Sequence, residues 1–154
     1  MLTGGCASGG GFPSLAQRPA ELIDYETEPV RTAPVVAPEA GLDARIAELL
    51  AEARRGDAAF GAAAGAAEAG VGGAGAAGSE SWIVAQQAIS RLEAARAASV
   101  TALAELDRMS IARAQQPSNV AQFQTLVAAV ETVSAIVGAQ QARLDRLRGR
   151  LSAL

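Results

Sequence analysis

Apolar positions in the last third of the chain recur in alternating steps of three and four. Phe123, Leu126, Val130, Val133, Val137, Gln140, Leu144, Leu147, Leu151 and Leu154 follow one another without a break, Gln140 alone being polar. This spacing winds one stripe along a helix over 118–154 and predicts a seam of coiled-coil type. A weaker stripe over 79–116 runs through Trp82, Ala85, Ile89, Leu92, Arg96, Ser99, Leu103, Leu106 and Ser110, with Val100 and Ile111 beside it. A stripe flanked in this way drifts with the 3.6-residue period of a bundle. Between the two lies Gln116-Pro117-Ser118-Asn119, where proline ends the first helix and Ser118 or Asn119 can cap the second. So short a connection requires an antiparallel hairpin. Folded at Pro117, it brings Leu103 near Val130, Ile89 near Leu144 and Trp82 near Leu151, with a thin layer around Ser99 and Ser134. Arg96 and Gln140 read as tolerated edge residues; the alternative is that they define register.

A third helix is expected from about 40 to 69, after Pro38 and Gly41. Leu42, Ile46, Leu49, Ala53 and Phe60 recur at helical spacing, and Asp43 lies early enough to suit the helix dipole. Arg54-Arg55-Gly56-Asp57 either interrupts this helix or lies within it. Residues 70–78, rich in glycine, form a flexible loop back to Ser79. The fold class is therefore all-α: a long antiparallel hairpin (79–116, 118–154) with a coiled-coil-like seam, completed to a three-helix bundle by 40–69. Gly61 and Gly65 have the small-xxx-small spacing of membrane helices, but Asp57 and Glu68 bracket a stretch far shorter than the roughly 20 residues of a span.

Composition narrows the chemistry. Hydrophobic residues make up 50% of the chain, but alanine dominates them, so stability is expected from long, close helix contacts rather than a deep core. There is no histidine, and all 13 basic residues are arginines. The commonest general base, the commonest metal ligand and any lysine nucleophile are thus missing. No catalytic residue and no metal ligand is assigned, and no cofactor or small-molecule substrate is expected. The acidic group Glu21, Asp24, Glu26 and Glu28 lacks a metal-loop glycine pattern and reads as solvating charge. A formal charge of −3, with no basic stripe interleaved with aromatics, argues against nucleic acid. Arg143, Arg146, Arg148 and Arg150 make one basic end, opposed locally by Asp145 and expected to be helped by Glu80 across the hairpin. It suits either the C-terminal dipole of its helix or an anionic surface such as lipid head groups or cell-wall polymers.

The one cysteine, Cys6, follows Leu2-Thr3-Gly4-Gly5 and precedes Ala7-Ser8-Gly9-Gly10-Gly11-Phe12-Pro13. With further prolines at 19, 29, 34 and 38, residues 7–38 read as an extended, flexible tether. Thr3-Gly4-Gly5-Cys6 resembles the lipobox of bacterial lipoproteins. That resemblance implies diacylglycerol on Cys6, a signal segment upstream of which residues 1–6 are a remnant, and a spacer between lipid and domain. Ala7 in place of aspartate implies delivery to the outer membrane. The expected organisation is a lipidation segment at 1–6, the tether at 7–38 and an Ala-rich helical domain at 39–154. The expected protein is an envelope lipoprotein on the periplasmic face of the outer membrane. Its bundle is a structural or interaction module that binds a partner or itself through helices, without catalysis. The alternative is a cytoplasmic coat or adaptor protein, similar in its Ala- and Gln-rich amphipathic helices to phasins.

Overall fold

The computed structural model describes Glu21 and residues 35–154. The expectations for Cys6, and for the tether up to residue 34, lie outside the described residues. The compact unit is Pro34–Leu154. It holds four helices: α1 (Leu42–Gly72), α2 (Glu80–Ala94), α3 (Ala97–Ala114) and α4 (Val120–Ser152). Among the described residues there is no strand. α2 and α3 follow one another as a single broken arm, so the unit is a three-helix bundle, the expected all-α class with α1 as its third arm.

Each helix starts where local chemistry allows. Gly41, at φ 82°, supplies the left-handed turn before α1, and Asp43 follows in the first turn. Gly78 (φ 85°) turns the chain into Ser79, whose hydroxyl accepts from Trp82 N–H at 3.3 Å and caps α2. Of the two capping candidates after Pro117, Asn119 is the one used: its Oδ1 accepts from Gln122 N–H at 3.2 Å. α1 runs unbroken through Arg54–Asp57 and continues to Gly72, leaving a loop shorter than the expected 70–78.

The expected first arm of the hairpin is broken at Ala95–Arg96. Nothing local requires this, since both residues keep right-handed helical angles. The cause is tertiary. A Cβ placed on Gly56 of α1 would lie 2.5 Å from Ser99 Oγ and 2.8 Å from Ser99 N, so the first turn of α3 presses against bare α1 backbone. The break lets α3 make that approach while α2 continues along the other half of α1.

The core falls into two apolar clusters on either side of this contact. One contains Leu42, Ile46 and Leu49 of α1, Leu106 and Met109 of α3, and Leu126 and Val133 of α4. The other contains Phe60, Ala64 and Ala67 of α1, Ile89 and Leu92 of α2, and Leu144, Leu147 and Leu151 of α4. Ile89 and Leu144 share a cluster as the hairpin register requires. Leu103 and Val130 each pack against the edge of the first. The seam itself shifts. In the first half of α4 the buried positions are Gln122, Leu126, Ala129 and Val133, with Phe123, Val130 and Val137 half-buried and Leu154 54% exposed. In α3 the stripe moves onto Ala102 and Met109, leaving Val100 and Ile111 outside. A straight helix drifts in this way against a strict seven-residue repeat.

Between the clusters lies a polar layer, and here the edge reading of Gln140 fails. Gln140 is 2% exposed; its Nε2 donates to Ser99 Oγ at 3.2 Å and to Asp57 Oδ1 at 3.1 Å. The Ser99 hydroxyl in turn donates to the Ala53 carbonyl at 3.1 Å. Arg96, half-buried, donates to Gln141 Oε1 and to the Val137 carbonyl. The layer is incompletely satisfied, because Gln140 Oε1 and Arg96 Nε are buried without a partner.

Candidate interaction surface

The two ends of the bundle carry different chemistry. At the end where the chain enters α1, residues 36–43 are strapped to the turn between α3 and α4. Gln122 accepts from Glu39 N–H at 2.7 Å and donates to the Glu39 carbonyl at 3.1 Å and to Asp43 Oδ2 at 3.2 Å. Asn119 donates to the Val36 carbonyl at 2.9 Å, and Arg113 pairs with the Glu39 carboxylate. A cavity of about 90 Å³ lies between Val36, Leu42, Arg113 and Phe123. The backbone groups of Val36 and Glu39 are satisfied by side chains here.

The opposite end carries the predicted basic group, and the structure divides it. Arg143 donates to Glu68 of α1, Nε to Oε1 at 2.9 Å and Nη2 to Oε1 at 2.7 Å. Arg148 pairs with Glu93 of α2 at 2.6 Å. Glu80 is not the counter-ion for these arginines: the carboxylates come from α1 and from the far end of α2. At about 100° per residue, Arg143 and Arg148 lie on opposite flanks of α4. Arg146 and Arg150 are exposed on the α1 side and have no ion-pair partner among the described residues. Two of the four arginines thus serve the bundle, each in a half-exposed pair of small energetic weight. Two stay open to solvent near the negative end of the α4 dipole.

The same end presents an exposed apolar pair on α2. Ile83 and Val84 of α2 are 46% and 49% exposed. Beside them the Trp82 ring is half-buried, with its Nε1–H buried and unpartnered. Two depressions flank this ridge. One, of about 460 Å³, runs along Trp82, Ile83, Gln86, Gln87, Ser90 and Arg91. The other, of about 410 Å³, is floored by Ala69, Gly70 and Gly73 and walled by Glu80 and Val84. Glycine and alanine at the end of α1 leave the second depression open. A sequence reading centred on the buried seam passed over this face, although Ile83-Val84 next to Trp82 puts two branched residues where a two-sided stripe has no use for them.

α4 is long and apolar enough to cross a membrane by length and composition, with mean hydropathy 1.5 over 18 residues, of which 22% are buried. In the bundle its Leu126, Val133, Leu144, Leu147 and Leu151 are buried in the clusters shared with α1, α2 and α3. Among the described residues no three Asp, Glu, Cys or His side chains come together as a metal site. Comparison with protein-family models, with curated proteins and with solved structures finds no match for this chain.

Proposed function

We propose that this chain is an envelope lipoprotein, held to a membrane through lipid on Cys6, whose bundle serves as a structural or protein-interaction module without catalysis. The observation that carries the interaction role is the outward-facing Ile83–Val84 ridge with a depression on each side. A soluble helix face with no partner has little reason to keep two branched apolar residues together. The anchor rests on Thr3-Gly4-Gly5-Cys6 and the Gly- and Pro-rich stretch after it. The strap at Glu39 holds residues 36–43 at one end of α1, while the ridge lies toward the other, along a helix roughly 45 Å long.

Mass spectrometry of the mature protein made from its own locus tests the anchor. The expected product begins at Cys6 and carries acyl chains; a chain retaining Met1 with a free Cys6 thiol would sink the reading. That second product would favour the cytoplasmic coat or adaptor role, for which the largely unburied apolar window of α4 is the supporting observation.

A further inference from the structure

The exposed face of α2 is complementary to itself. Glu80, Ile83, Val84, Gln87 and Arg91 fall within roughly a 100° arc of the helix. All five are exposed. Neither Glu80 nor Arg91 has an ion-pair partner among the described residues. One carboxylate therefore stands at the start of the face, one guanidinium near its end, and the branched residues lie between them.

We propose that a second copy of this chain docks here, α2 against α2 and antiparallel, about a two-fold axis passing between Ala85 and Gln86. This rests on the interaction-module reading and names its partner. The axis lies midway between Glu80 and Arg91, so rotation sets Glu80 of each copy beside Arg91 of the other. Both ends of the contact are closed by the same ion pair, as an isologous interface requires. Ile83 of each copy lies over the depression lined by Trp82, Gln86, Gln87 and Ser90 of the other, and Val84 packs on Gln87 near the axis. The aliphatic stem of Arg91 reaches the depression floored by Gly70 and Gly73, where no side chain blocks it.

The charge order specifies the arrangement. A parallel pairing in register would set Glu80 against Glu80 and Arg91 against Arg91, so repulsion at both ends selects the antiparallel form. α2 has 15 residues, a contact at the small end of specific interfaces. Dissociation in the micromolar range or weaker follows, and confinement of both copies to one surface raises their effective concentration.

The test is sedimentation equilibrium of the full chain in reducing buffer at low ionic strength, with E80R, R91E and the double swap E80R/R91E. Circular dichroism of each variant confirms that it folds. The expected result is a reversible dimer that each single reversal weakens about tenfold or more, by placing like charges at both ends. The double swap restores it. A monomer at every concentration, a dimer indifferent to the single reversals, or a double swap as weak as the singles would each overturn the proposal. A monomer whose Cys6 is acylated removes this interface and leaves the anchored module standing. A charge-dependent dimer with unmodified Cys6 does the reverse.

Discussion

The two halves of the bundle solve the same packing problem with different mixtures of large and small residues. In the half near the strap, α1 contributes Leu42, Ile46 and Leu49, facing Ala102 and Leu106 of α3 and Ala129 of α4. In the half near the glycine loop, α1 places Ala64 and Ala67 between Phe60 and Val71, and the volume between them comes from Ile89 and Leu92 of α2 and Leu144, Leu147 and Leu151 of α4. Where α1 is small, α2 can come close, and a Cβ on Gly70 would lie 3.4 Å from the Ala85 Cα. Alanine abundance therefore does not mean a featureless core. It is matched helix by helix, with the Gly56–Ser99–Gln140 layer at the changeover.

The sharpest way to break this comparison is to remove one large residue from each half. Leu126 and Leu144 are both fully buried. Truncation to alanine is expected to cost about 3 kcal/mol in each case, read from urea denaturation. If the halves are energetically distinct, hydrogen exchange in Leu144→Ala rises mainly in α2 and the C-terminal half of α4, whereas Leu126→Ala loosens α3 and the start of α4. Uniform loss of protection from both would show that the polar layer does not partition the bundle.

At the changeover itself, Gly56→Ala opposes two effects. Helix propensity favours alanine by about 1 kcal/mol. Against it, the added carbon would sit 2.5 Å from Ser99 Oγ and 2.8 Å from Ser99 N, and the second of these is backbone that cannot swing aside. Overpacking wins, with a net loss of about 2 kcal/mol expected from thermal or urea unfolding. A neutral or stabilised variant would mean that α3 can retreat from α1 and that the break at Ala95–Arg96 has another cause.

That break shows where a single sequence stops speaking. The three arms were legible because apolar positions at Leu126, Val133, Leu144 and Leu151, and at Ile46 and Leu49, keep helical spacing, and because Pro117 punctuates the chain. The division of the second arm was not, since Ala95, Arg96 and Ala97 are good helix formers and the cause lies on another helix. Gln140 was visible as a polar residue in an apolar seam. Its burial depends on Ser99 and Asp57, one on each neighbouring arm, and helical spacing does not set the register of α1 against the hairpin. The same missing register hides Glu68 as the counter-ion of Arg143. The strap was equally hidden: nothing local pairs Glu39 with Gln122, 83 positions away.

Gln140→Leu sharpens the comparison from the other side, by joining the two apolar clusters. The glutamine buries an unpartnered Oε1, so its removal recovers a desolvation cost. Ser99 keeps its bond to the Ala53 carbonyl, and the exposed Asp57 regains water. Stability is expected to stay level or rise by about 1 kcal/mol, while the half-specific exchange pattern of the two leucine variants becomes more uniform. A loss of several kcal/mol would instead make the layer a net stabilising network.

The smallest expected effect separates glycines that fit a contact from those that do not. Gly61 and Gly65 lie within α1, in the half where that helix is small, yet a Cβ on either meets nothing within 4 Å. No approach inside the bundle requires a bare backbone there, in contrast to Gly56. Each therefore costs helix stability relative to alanine by about 0.5–1 kcal/mol without a compensating contact. Gly65→Ala is expected to raise the denaturation midpoint by that amount, leaving its slope unchanged. Set beside Gly56→Ala, the sign of the change reverses within one helix, nine residues apart, because only one of the two glycines faces α3. Destabilisation by Gly65→Ala would mean that the end of α1 packs more tightly than its open surroundings allow, and the contrast between the halves would lose its basis.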